Sequence, residues 1–477
     1  MHTKRKTYDN DDLCSAYAEP LKLAGSRKSK EVFKVVRVKP FKAFRYDEDK
    51  VGDISKVVTP PYDIIKGAKV DELQGLSEHN IAWIIKNKPR DDDTPENNQY
   101  TRARDHLNKW IADGSLKQDE KESFYVYGQD FEVNGQKLFR FGFIGLIELE
   151  DFATKAHDSG SFAGVLQHEE TLPKDIIDRL SLCRTSMANF GQIFVIYPDK
   201  EGSVDAVLER NMRKNTVTDV TDTEGVRHRI WAIDDEADVE KVTTNMANKY
   251  IIIADGHHRY KTALQLSLEN PDLESAKYRM LTFVNISNPG LVVLPTHRLV
   301  QNLEVFSKEK LLEDIKQFFD LEIFDNKADM FNLMDKMFFQ NEHAFGLFMN
   351  DGNYYAFTLK DKEIMNSLLA DKSPELRSLD VAILHALILD KMLGIDKEKL
   401  LQGTMKGGGF VSYIKGIGDA VDESIQTVKD GAQAIFFMNP TRVEEVEAVS
   451  KKFEVMPQKS TFFHPKIWTG FTINKLR

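Results

Sequence analysis

Apolar residues recur along this chain in two rhythms, and the switch between them marks its elements. From residue 98 to 116, Tyr100, Ala103, Leu107, Trp110 and Ile111 fall three or four apart. That is the spacing of one helix face, and Gly114 supplies the stop. Residues 123–129 and 138–149 read as strands around Asn134-Gly135, a dipeptide suited to a tight hairpin turn. Residues 191–197 and 250–253 are short apolar runs between polar segments, the pattern of strands buried on both faces. Further along, the spacing predicts a helix over 303–324 and two strands within 338–358 that turn at Asn350-Asp351-Gly352-Asn353. A helix-rich stretch follows over 378–401, then a strand over 434–438 and a helix over 443–452. Near the start, 32–38 alternates as a strand, and 57–63 ends a second one at Pro60-Pro61. Residues 1–30 show no periodicity and are expected to form a frayed extension. The pattern predicts a mixed α/β fold. After the extension (1–30) come a catalytic domain over 31–300 and a second α/β domain over 301–477.

Length and composition narrow the classes. At 477 residues the chain exceeds what one hydrophobic core supports, and 41% hydrophobic with 29% charged residues is the make-up of an ordered globular protein. The net charge of -10, with basic residues scattered among acidic ones, argues against a nucleic-acid partner. A local basic pocket for a small anion stays compatible with that charge, because a cleft focuses its own field. Two cysteines, Cys14 and Cys183, without a CxxC pattern, indicate neither a disulfide framework nor a zinc site. No signal-like or membrane-spanning apolar stretch is visible, so a soluble, cytoplasmic protein is expected.

The chemistry concentrates at Ala254-Asp255-Gly256-His257-His258-Arg259-Tyr260, a turn between a buried strand (250–254) and a helix opening at Tyr260. The first N–H groups of a helix lack internal partners and attract anions, phosphate most often. Gly256 lets the backbone approach closely. Arg259 can grip phosphate oxygens in pairs, Asp255 can hold Mg²⁺ or orient a proton acceptor, and His257 or His258 can stabilise charge on a moving phosphoryl group. The plainer alternative makes Asp255 a helix cap and the histidines half-buried polar residues.

Two further clusters accompany the turn. Gln167-His168-Glu169-Glu170-Thr171, followed by Asp178-Arg179, places adjacent carboxylates beside a histidine; a solvated charged loop is the alternative. Met456-Pro457-Gln458-Lys459-Ser460-Thr461-Phe462-Phe463-His464-Pro465-Lys466 offers two lysines and two hydroxyls between prolines, either an anion-lining loop or a plain surface loop. Lys406-Gly407-Gly408-Gly409-Phe410 reads as a linker or a lid. Neither GxxxxGK[ST] nor a GxGxxG that opens a βαβ unit occurs, which disfavours conventional ATPase and dehydrogenase folds.

Taken together, residues 57–63, His168-Glu169-Glu170-Thr171, 254–264, Pro295-Thr296-His297-Arg298 and 457–466 resemble the DUF1015 family. Asp255-Gly256-His257-His258-Arg259 is also similar to the phosphate-binding turn of the ParB and sulfiredoxin superfamily. That resemblance implies a ParB/sulfiredoxin-like phosphate-binding core and a free L-serine kinase. Such an enzyme makes O-phospho-L-serine from serine and a small donor, pyrophosphate or ADP/ATP, with Mg²⁺, in serine or cysteine metabolism. On that reading Glu169 or Glu170 is the base, and Asp255 with His257 sits at the reacting centre, Asp255 also as metal ligand. Gly256, His258, Arg259, Lys459, Ser460, Thr461 and Lys466 hold phosphate, and Asp63, Arg179, His297 and Arg298 contact the substrate. The same groups serve the reverse direction, making serine from phosphoserine, and a phosphoserine phosphatase is an alternative reading. The competing class is a ParB-like, nucleotide-dependent DNA-binding regulator, which the acidic charge opposes.

Overall fold

The computed structural model describes residues 36–154, 164–169, 173–400 and 409–477. Asn98 accepts from the N–H groups of Tyr100 and Thr101, while Thr101 accepts from the Asn98 N–H. This reciprocal cap starts helix α1 (Gln99–Ala112), whose inner face buries Ala103, Leu107 and Trp110 as the spacing requires. Helix α1 packs on α2 (Pro173–Ser186), which in turn packs on α3 (His257–Glu269).

Nine strands among the described residues form the larger sheet: β1 (Val38–Lys39), β2 (Phe124–Val133), β3 (Gln136–Glu148), β4 (Gly164–Leu166), β5 (Ile193–Tyr197), β6 (Thr218–Thr221), β7 (Arg227–Ile233), β8 (Tyr250–Asp255) and β9 (Tyr278–Asn285). Their order is β4-β8-β5-β9-β3-β2-β7-β6, with β1 added beside β3. The sheet is mixed: β8 runs parallel to β4 and β9 parallel to β5, and the other pairs are antiparallel. Asn134 and Gly135 adopt φ of 51° and 78°, the left-handed pair that a two-residue hairpin between β2 and β3 needs. Both faces of β8 are buried. Ile251 and Ile253 join a core with Phe143, Val195 and Phe283, while Ile252 and Ala254 join another with Phe194 and Ile196.

A six-stranded antiparallel sheet follows, built from β10 (Thr296–Val300), β11 (Phe319–Phe324), β12 (Ala344–Phe348), β13 (Tyr354–Leu359), β14 (Val411–Lys415) and β15 (Ala434–Met438), in the order β11-β13-β12-β15-β10-β14. The chain is a mixed α/β protein. Its end is stitched into its middle: Phe462–His464 pairs with Val292–Leu294, Thr469 bridges Thr59, and Asn474–Lys475 pairs with Ala188–Asn189.

Several elements differ from the sequence pattern. The helix expected over 303–324 occupies only Lys308–Phe318 and gives way to β11, because Phe319, Leu321 and Ile323 pair across to Leu359, Phe357 and Tyr355. Here cross-strand pairing overrides helical propensity. The strands expected within 338–358 are there, but a helix (Lys327–Phe339) takes the first residues of that window. Instead of ending a strand, residues 57–63 follow a short helical turn (Ile54–Lys56) and reach the sheet system only through the Thr59–Thr469 bridge. Residues 32–35 of the first expected strand, and Lys406 to Gly408 of the glycine-rich segment, lie outside the described residues. So does the 1–30 extension. No described helix is long and apolar enough to cross a membrane.

Candidate functional site

Strand β8 ends on Asp255, and α3 begins at His257, three residues before the sequence reading opened it. A bulge between Ile253 and Asp255 breaks the pairing with β5, so the last residue of the strand leaves the strict alternation. Gly256 is the N-cap, with φ of 103°, and no side chain among the described residues caps the helix. Asp255 therefore does not act as the cap. The backbone N–H groups from Gly256 to Arg259 precede the first intrahelical bond, which runs from Tyr260 N–H to Gly256 O.

Two cations hold the Asp255 carboxylate instead. Lys466 Nζ lies 2.7 Å from Oδ1, and Arg259 Nη2 lies 2.5 Å from Oδ2. Burial pushes the Asp255 carboxyl up, but Lys466 and then Arg259 outweigh it and hold the group well below the ordinary carboxylate range. Arg259 also donates through Nη1 to Gln192 O, while its buried Nε has no partner among the described residues. The expected paired grip on phosphate is thus partly pre-empted by Asp255 and Gln192 O. A Cβ at Gly256 would come within 2.9 Å of both Nε and Nη2 of Arg259, so the glycine keeps open the space facing that edge of the guanidinium.

The Mg²⁺ expectation meets a direct obstacle. Both oxygens of Asp255, the ligand assigned from sequence, are engaged by cations, and no group of three or more His, Cys, Asp or Glu among the described residues is placed to hold a metal ion. The donor set does not fit a resident metal, which calls for uncompensated carboxylates.

His257 and His168 form the floor. His257 Nε2 accepts from the His168 backbone N–H at 3.3 Å, and the two rings meet edge to face with centroids 4.8 Å apart. His168 Nδ1 lies 2.6 Å from Ile253 O, so it carries the proton, and Nε2, 3.0 Å from Thr461 Oγ1, accepts. Burial leads in lowering both histidines, so both rings are neutral. His258, at the next position of α3, is half-buried.

The C-terminal loop arrives on three anchors. Arg140 donates to His464 O at 3.1 Å and to Pro465 O; Arg298 donates to Lys459 O at 3.1 Å; and the Met456 N–H donates to His168 O at 2.8 Å. Lys459 N–H donates to Glu169 Oε1 at 3.2 Å. Desolvation pulls the Lys459 ammonium down, yet Glu169, Asp63 and Asp255 together raise it above its ordinary value. Ser460 is buried, its hydroxyl donating to Pro457 O and its carbonyl accepting from Thr441.

Glu169, Asp255, Gly256, His257, Arg259, Lys459, Ser460, Thr461 and Lys466 therefore converge, and exposed Asp63 contributes its field. Glu170 lies outside the described residues. Arg179 lines a cleft with Arg259 and is held by Asp178 and Ile85 O. His297 and Arg298 depart from their expected role as substrate contacts. His297 is 2% exposed and accepts from the Met438 N–H, and Arg298, 1% exposed, spends its donors on Thr296 O, Lys459 O and His385. Arg298 holds the loop at Lys459 O, and His297 holds Met438 in β15. The sequence reading missed Gln192, Arg140 and Arg279, which lie in strands or turns where one buried polar residue carries no local signal. It also missed the ring pairing of His168, although His168 stood beside Glu169 in a cluster already singled out.

The fold and the turn define a mixed α/β protein with a cation-flanked carboxylate at a strand-to-helix junction. The family model described as "Protein of unknown function (DUF1015)" matches residues 38–382, and the chain belongs to that family. Comparison with curated proteins gives no match. Among solved structures, the chain is similar to a conserved hypothetical protein from Pyrococcus furiosus (15% identity, 65% of this chain and 92% of that one, TM-score 0.30). It is also similar to a free serine kinase in complex with AMP (14%, 63% and 83%, 0.29) and to SbnI with a C-terminal truncation from Staphylococcus aureus (11%, 65% and 83%, 0.30). At these TM-scores the likeness says nothing of chemistry.

Proposed function

We propose that this protein transfers a phosphoryl group from a small donor, pyrophosphate or ADP/ATP, to the hydroxyl of free L-serine, giving O-phospho-L-serine. The observation that supports this reading most is the convergence of Lys466, Arg259 and the α3 N-terminus on one turn, with Lys459 held charged close by. A loose phosphoryl transition state spreads negative charge over three oxygens, and fixed cations with oriented N–H groups answer that charge without reorganising.

In the proposed reaction Glu169 takes the serine hydroxyl proton as the new O–P bond forms, while the bond from phosphorus to the leaving oxygen of the donor breaks. Lys459 and Lys466 neutralise the moving group, and the backbone N–H groups at Gly256 and His257 receive its oxygens. Neutral His257, its Nε2 engaged by the His168 N–H, offers its Nδ1–H as a donor. The motif resemblance supports serine as the acceptor; the cation-flanked turn supports only the binding of a phosphoryl group.

Incubating the purified protein with serine, Mg²⁺ and each donor in turn, with phosphoserine followed by ³¹P resonance or mass spectrometry, tests the reading. Phosphoserine from at least one donor is expected. No product with any of the donors removes it.

A further inference from the structure

Three arginines in this fold are buried without a carboxylate partner among the described residues, and two of them are explained. Arg140 donates to Gln129 and to the carbonyls of His464 and Pro465, and Arg298 donates to Thr296 O, Lys459 O and His385. Arg279 is different. It is 4% exposed and donates from Nη2 to Gly191 O at 2.6 Å, and its buried Nε has no partner among the described residues. A buried guanidinium lacking a counter-ion is costly, and such sites are ordinarily paired.

Arg279 lines a small cleft open to solvent, together with Arg259, Arg179, Thr262, Tyr62 and Cys183. Two more residues of the lining carry a buried donor without a partner among the described residues, Arg259 at Nε and Thr262 at its hydroxyl; they are 8% and 1% exposed. Arg179 and Arg259 each have a carboxylate, Asp178 and Asp255, so the uncompensated charge of the cleft belongs to Arg279. Ile85 and Phe190 give the cleft an apolar wall, suited to a short carbon skeleton behind a charged head.

We propose that this cleft binds a small organic anion whose carboxylate or phosphate group is the missing counter-ion of Arg279, accepting also from Arg259 Nε and the Thr262 hydroxyl. The site goes beyond the phosphoryl-transfer reading: it shares Arg259 with the Asp255 turn but depends on Arg279 and Thr262, which that reading does not use.

The test is a thermal-shift and calorimetric titration of the full chain with sodium phosphate and with sodium acetate, against sodium chloride at equal ionic strength. At least one of the two oxyanions raises the melting temperature with the logarithm of its concentration beyond the chloride control, and the stronger one identifies the head group as phosphate or carboxylate. Arg279→Met weakens that binding by about ten- to a hundredfold, without lowering the melting temperature of the ligand-free protein. Thr262→Val, which removes only an unpartnered hydroxyl, weakens it by about three- to tenfold and decides the matter if Arg279→Met does not fold. Lys466→Met leaves this binding in place, which separates it from any anion held at the Asp255 turn. Chloride-like behaviour of both oxyanions overturns the proposal, as does binding that survives both Arg279→Met and Thr262→Val or that disappears with Lys466→Met.

Discussion

Lys466 and Asp255 stand 211 residues apart in the chain, and their charged atoms lie 2.7 Å apart. The pair ties the C-terminal loop to the strand-to-helix turn and fixes an ammonium beside the backbone N–H groups at the start of α3. Lys466→Met leaves Asp255 paired with Arg259, so stability should change by less than about 1 kcal/mol. The turnover of phosphoserine formation should fall about a hundredfold to a thousandfold, the usual cost of one preorganised charge contact. Asp255→Asn differs in kind, since it leaves two cations facing each other around an amide. With the carboxylate 20% exposed, a stability loss of about 2–3 kcal/mol is expected, below the ~3–5 kcal/mol of a fully buried pair. Urea unfolding of both variants checks the contrast, and an equal loss in the two contradicts it.

Gly256 carries two constraints at once. Its φ of 103° is one that side-chain-bearing residues rarely adopt, and a Cβ there would sit 2.9 Å from the Arg259 guanidinium. Asp255 and Gln192 O pin that guanidinium, so it does not simply swing aside. Gly256→Ala should cost at least about 1–2 kcal/mol from the backbone alone and should also displace Arg259. A melting temperature equal to that of the parent protein contradicts this account.

How much of this was legible beforehand depends on the range of the interaction. The hairpin at Asn134-Gly135 and helix α1 were readable because their determinants, a left-handed turn pair and a capped amphipathic face, are local. Strand β11 was not, since Phe319 to Phe324 become a strand only through partners near residue 357. The turn at residues 255–259 stood out because its functional groups are contiguous. The use made of Arg259 did not, because Gln192 O and Asp255 take its donors in a way set by the packing of β5 against β8. His297 and Arg298 show the converse error: polar residues in a recognisable motif were assigned to a ligand when their partners are the backbone of the loop and β15.

Buried neutral histidines give the protein a defined sensitivity to acid. Burial, with help from Arg298, pushes His297 down to about 3 from 6.5, and burial also leads in lowering His168, His228, His257 and His385. Below pH 6.5 the unfolded chain binds protons that the folded chain refuses, so stability falls as pH drops through the window between 6.5 and the lowered values. The slope is roughly 1 kcal/mol per pH unit for each such histidine. Urea unfolding at pH 7 and pH 5.5, where carboxylates contribute little, should therefore show a loss of several kcal/mol. Constant stability across that interval means the rings take up protons as readily in the folded protein as in the unfolded chain, which contradicts their burial as neutral groups.

Thr461 offers the most selective probe of how the C-terminal loop is registered. Its hydroxyl donates to His168 Nε2 at 3.0 Å, and the opposite ring nitrogen donates to Ile253 O in the strand that ends on Asp255. The relay sets the height of the loop over the turn and fixes the tautomer of His168. Thr461→Val keeps the shape but strands a buried acceptor, which costs about 1–3 kcal/mol. With the loop loosened, Lys459 and Lys466 are less often in place together, so kcat for phosphoserine formation should fall more than KM for serine rises. Thr461→Ser, which keeps the hydroxyl, should restore both stability and kcat. If serine and valine at this position behave alike, the bond to His168 Nε2 is incidental and the loop is held by Arg140, Arg298 and the Met456 N–H bond to His168 O.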